Sequence, residues 1–109
     1  RDMAADTATG VAFSGAGFKP SAAIVFALID QTVNTCVGFS TFTTSYSIVT
    51  MASGVNWKTT ASPCVIAKDA VADRQGLTSF TAASDGATGT WTKYGTPTGT
   101  ADIYILWIR

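Results

Sequence analysis

Runs of apolar and β-branched residues alternate with turn chemistry along this whole chain. Thr9–Ser14 is a first short run, closed by Gly15-Ala-Gly17. After it, Pro20 fixes its own φ and bars a helix through Phe18 and Lys19, and the apolar run Ala22–Ile29 begins at once. A run this continuous predicts a strand buried on both faces. Cys36–Phe42 and Tyr46–Met51 are β-rich, and Cys64–Ala67 resumes a strand after a long loop, Gly54–Pro63, that holds Trp57 and Lys58. Leu77–Phe80 and Thr88–Lys93 flank Asp85-Gly86, a strong hairpin dipeptide. Asp102–Ile108 closes the pattern. The one segment that reads as a helical turn is Asp69–Gln75.

Seven to eight short strands with glycine and proline punctuation predict an all-β antiparallel sandwich or jelly roll. Residues 10–109 form that domain, and the polar, Ala-rich residues 1–9 read as an N-terminal arm or linker. In the closing strand, Ile103, Ile105 and Trp107 fall on one face and Tyr104, Leu106 and Ile108 on the other. A sandwich strand needs only one buried face. The surplus face requires a cover, and Tyr104, Leu106 and Ile108 are therefore candidate oligomer-interface residues.

Composition strengthens that expectation. Only 13% of the 109 residues are charged while 47% are hydrophobic, against about a quarter charged in ordinary soluble domains. Lys and Arg number 7, as do the acids, and net charge is zero. No basic face exists to neutralise phosphates, and no polybasic patch to meet a membrane surface. The longest apolar run is far short of the ~20 residues of a membrane-spanning helix.

Candidate chemistry is sparse. The chain has no His and every acid is Asp, so general acid–base work would fall to Asp, Lys, Tyr or Cys. No Gly-x-Ser-x-Gly signature accompanies the many serines, which argues against an enzyme. Cys36 and Cys64 lack imidazole partners for catalysis or for a closed zinc site. They read as two buried thiols in preference to a disulfide. Asp69, Asp73 and Asp85 are carboxylates of the kind that hold calcium, yet they sit where solvated acids are commonplace. Neither a cofactor nor a metal is expected. The aromatics Trp57 and Tyr94, in or near loops, are candidate surface rings for a glycan, with packing as the competing role.

Gly17-Phe-Lys-Pro20 before an apolar strand, Leu77–Phe80, Asp85-Gly86, Thr90-Trp-Thr92 and the closing Thr100–Leu106 together resemble a set of small virion domains of tailed bacteriophages. The resemblance runs from about Val11 to the end. In those domains an aromatic often follows the Asp-Gly, whereas Ala87 stands here. The resemblance implies a structural protein at the particle surface, either a capsid decoration or cement protein or the terminal domain of a tail fibre. The implied partners are copies of itself, as a trimer, and the major capsid protein or fibre shaft. A carbohydrate-binding, receptor-recognition module on a host glycan is the alternative.

Overall fold

The computed structural model describes residues 1–30, 34–67 and 70–109. It is an antiparallel β-sandwich of nine strands, with no helix among the described residues. The strands are β1 (Ala8–Phe13), β2 (Ala22–Ile29), β3 (Thr35–Ser40), β4 (Ser45–Thr50), β5 (Asn56–Thr59), β6 (Val65–Ala67), β7 (Arg74–Ala83), β8 (Gly86–Tyr94) and β9 (Ala101–Ile108). One sheet has four strands in the order β1-β8-β7-β6, the other five in the order β5-β4-β3-β2-β9. Each sheet is thus a meander, β6-β7-β8 and β2-β3-β4-β5, completed by one strand from an end of the chain.

Several sequence expectations are corrected here. The stretch expected as a loop around Trp57 contains β5, which extends the larger sheet by pairing Val49 with Trp57 and Ile48 with Lys58. The expected helical turn ending at Gln75 is absent. Residues 70–73 make a tight turn closed by the Asp73 amide donating to the Ala70 carbonyl, and β7 begins at Arg74; Asp69 lies outside the described residues. Strand pairing with β6 and β8 overrides the weak local helix preference of so short a segment. The third strand stops at Ser40. Phe42 adopts a φ of 64° in the following turn, and its ring packs 5.3 Å from that of Phe80.

The residues 1–9 expected as an arm or linker are packed on the domain, and β1 already begins at Ala8. Met3 is fully buried in the core. The buried Gln75 amide donates to the carbonyls of Asp2, Met3 and Ala5 at 2.7–3.2 Å. The Arg1 carbonyl accepts from the Ala101 amide at 2.8 Å. A polar composition concealed this, because the fastening is backbone hydrogen bonding to one distant glutamine.

The core lies between the sheets and holds Trp91, Ile29, Ile66, Leu77, Val25 and Val49. Trp91 therefore points inward from β8, as its alternation with Thr90 and Thr92 predicts. Phe80 joins Phe13, Phe42 and Trp107 in an aromatic cluster with centroids 5.3–6.1 Å apart. Such offset and edge contacts add to simple burial.

The two turns that carry the sequence resemblance meet in space. Phe13 of β1 pairs with Ala87 of β8, which sets the Gly15-Ala-Gly17 turn against the Asp85-Gly86 hairpin. The Asp85 carboxylate accepts from the amides of Gly17 (2.6 Å) and Gly15 (3.2 Å), and these bonds hold its pKa below the ordinary value. Gly86 has a φ of 116°, and any Cβ there would collide with the Phe13 carbonyl. Only glycine fits that position.

Candidate interaction surface

The outer face of the five-stranded sheet is built by register. Antiparallel pairing aligns Leu106, Ile24, Phe39 and Tyr46 in one row across four strands. The next row holds Tyr104, Phe26, Val37, Ile48 and Lys58. A third row, Asp102, Leu28, Thr35, Thr50 and Asn56, turns polar and closes one end. Ile108, opposite Ala22, extends the apolar area beyond the first row. Because side chains alternate along a strand, all of these stand on the side away from the core.

This face is exposed to an unusual degree for its chemistry. Tyr104 is 66% exposed, Ile48 60%, Leu106 57% and Phe26 44%. With Val37, Phe39, Tyr46 and Ile108 they expose on the order of 800 Å², about one partner's share of a standard interface and more than the largest apolar patch of a typical monomer. A groove of about 480 Å³ runs over its middle, lined by Ile24, Val37, Phe39, Tyr46, Ile48 and Lys58 among others. Lys58 is its one charged wall.

The expected interface residues Tyr104, Leu106 and Ile108 are all exposed and all on this face. The expectation that Ala22–Ile29 is covered on both sides is corrected. Ala23, Val25, Ala27 and Ile29 enter the core, but Phe26 and, in part, Ile24 and Leu28 face outward. The apolar area thus continues from β9 through β2 into β3 and β4. Sequence reading missed Phe26, Val37, Phe39, Tyr46 and Ile48 as surface residues. Their alternation with Ala, Gly and Ser was the available signal, since the small residues take the inner face.

Trp57 and Tyr94 are brought together on another part of the molecule. Trp57, on β5, is half-buried against the core, and Tyr94, at the end of β8, is 37% exposed. The Arg74 guanidinium stands 4.0 Å from the Tyr94 ring centroid and 5.4 Å from that of Trp57, and donates to the Val71 carbonyl at 2.6 Å. The three line a small cleft of about 160 Å³ with Val65, Gly76 and Thr78. The guanidinium thus covers one face of Tyr94 and lies near one face of Trp57.

No cluster of three or more metal-binding side chains occurs among the described residues. Asp73 accepts from the Thr96 amide at 2.7 Å and Asp85 from the glycine turn, so both act as structural acceptors. No helix of the described chain is long and apolar enough to cross a membrane. In comparisons with known proteins, no family model, no curated protein and no solved structure matches this chain.

Proposed function

We propose that this chain is a structural module of a tailed-phage particle, held in place by the outer face of its five-stranded sheet and assembled with copies of itself. The supporting observation is the apolar face. Its exposed area is near one partner's share of a standard interface, and its two central rows carry a single charge, Lys58, at the edge. Copies of the chain arranged in a closed ring would cover this face with a neighbour's surface. A trimer is the assembly the sequence resemblance favours, and closed symmetry leaves no apolar face open to solvent.

The glycan reading has weaker support, because Trp57 is half-buried against the core and Arg74 already lies over one face of Tyr94. An enzymatic reading has no constellation of acid, base and nucleophile to build on. Sedimentation equilibrium of the purified chain at micromolar concentration tests the proposal. A closed oligomer, a trimer above all, is the expected result. A stable, well-behaved monomer sinks the self-assembly reading. The number of copies per purified particle then separates capsid decoration (hundreds) from a tail position (a few dozen or fewer).

A further inference from the structure

The two cysteines meet in the core across the gap between the sheets. Cys36 projects inward from β3 of the five-stranded sheet, and Cys64 directly precedes β6 at the edge of the four-stranded sheet; they are 1% and 0% exposed. The amide of Val65, next in chain to Cys64, donates to the Cys36 sulfur at 3.3 Å. One residue pair along, the backbone closes further. A Cβ on Gly38 would collide with the Pro63 carbonyl, so the Pro63-Cys64 segment lies directly on β3. Ser47 Oγ, buried on β4 opposite Gly38 of β3, has no hydrogen-bond partner among the described residues.

We propose that Cys36 and Cys64 are a latent cross-link, which a small hydroperoxide converts into one intramolecular disulfide tying the two sheets together.

The chemistry runs in a defined order. Cys36, whose sulfur accepts from the Val65 amide at 3.3 Å, is the sulfur attacked last and oxidised first: hydrogen bonding lowers its pKa against the opposing effect of burial, whereas burial and the neighbouring Cys36 push the Cys64 thiol up. The Cys36 sulfur attacks one peroxide oxygen, the O–O bond breaks, and hydroxide or alkoxide leaves and takes up a proton, giving a sulfenic acid. Cys64 then attacks the Cys36 sulfur, the S–O bond breaks, and the Cys64 proton leaves with the departing hydroxide as water. Two thiols have lost two electrons and two protons, and the hydroperoxide has become one water and one alcohol, or two waters where it is hydrogen peroxide. Both sulfurs are closed off from solvent and β6 is buried along its whole length, so oxidation requires transient opening of the sandwich, for which β6, a three-residue edge strand paired only with β7, is the shortest element to detach. Such a pair lets the chain fold in a reducing cell and be locked in an oxidising medium.

The test is to treat the folded protein with hydrogen peroxide, denature it, alkylate it and measure the intact mass. The expected result is a chain about 2 Da lighter with no alkylation and a single Cys36–Cys64 peptide pair. Its Tm should rise on the order of 10 °C, because the cross-link restricts the unfolded chain, and fall back on reduction. Cys36→Ala should show neither cross-link nor rise. Two alkylatable thiols after treatment, stable sulfinic acid, disulfides between chains, or a cross-linked chain with an unchanged or lower Tm would each overturn the proposal. The mass and peptide map of the wild-type chain decide it even if the variant fails to fold. Because the readout is per chain, it is independent of whether copies associate.

Discussion

The two outer faces of this sandwich are built alike and covered differently. On the four-stranded sheet the outward positions are largely threonine and serine, with Thr78 and Thr92 sharing a hydrogen bond at 2.7 Å and Thr81 and Thr88 paired across β7 and β8. On the five-stranded sheet the equivalent positions are Phe, Val, Tyr, Ile and Leu. Both sets are strong β-formers, so strand formation does not distinguish them. Water does: threonine hydroxyls satisfy a solvated face, whereas the apolar set loses free energy at roughly 25 cal/mol per Å² while it remains wet. With so few charged residues in the chain, this asymmetry is what the proposed assembly would resolve, by covering one face and leaving the other solvated.

Charges placed on each face are the strongest way to break that contrast. Ile48→Asp and Tyr104→Asp should each weaken self-association on the order of 100-fold or more, since a buried unpaired carboxylate costs several kcal/mol. Thr78→Asp and Thr90→Asp should leave it within about twofold. Sedimentation of the four variants reads this directly, and equal effects on both faces would erase the distinction.

A smaller effect is expected where the aromatics meet Arg74. Trp57→Ala should lower stability by about 2 kcal/mol, as a half-buried ring on the core is lost. Arg74→Ala should cost about 0.5–1 kcal/mol through lost stacking. Chemical denaturation checks both. Trp57→Ala with unchanged stability and lost glycan binding would move this cluster from packing to recognition.

The smallest effect belongs to Asp85, at the exposed hairpin beside the four-stranded sheet. Its folded pKa is lowered, so the unfolded chain binds the proton more readily and stability rises with pH. The contribution is complete above the ordinary value of 3.8 and disappears as pH falls through the lowered folded value. Asp85→Asn should therefore flatten Tm against pH in that acid range and leave self-association unchanged. An unaltered acid profile would show that the glycine turn holds without the carboxylate.

Strand positions were largely legible because local chemistry sets them. The Ala22–Ile29 strand coincides with the expected one, and the Asp85-Gly86 hairpin lies where that dipeptide placed it. The failures came where the signal was nonlocal. β5 forms because β4 offers an edge to Asn56–Thr59, not because those four residues favour extension by themselves. The first residues are fastened by Gln75, far along the chain. Tyr104, Leu106 and Ile108 were legible as surplus apolar surface because they alternate within one strand. Phe26, Val37, Phe39 and Ile48 alternate with small residues too, but a strand alone does not reveal which of its faces another sheet covers, so only the structure made that signal readable.

Alternation, turn residues and composition by themselves determined that this chain is a β-sandwich with more apolar surface than one core can use. Those are properties of neighbours along the chain, and short-range sterics and the two-residue period of a strand are enough to set them. Tertiary structure alone decided where the surplus collects, in rows across β9, β2, β3 and β4. It also decided that the Cys36 sulfur meets the backbone next to Cys64. Register and sheet-to-sheet packing join residues far apart in the chain, and no local preference encodes such meetings.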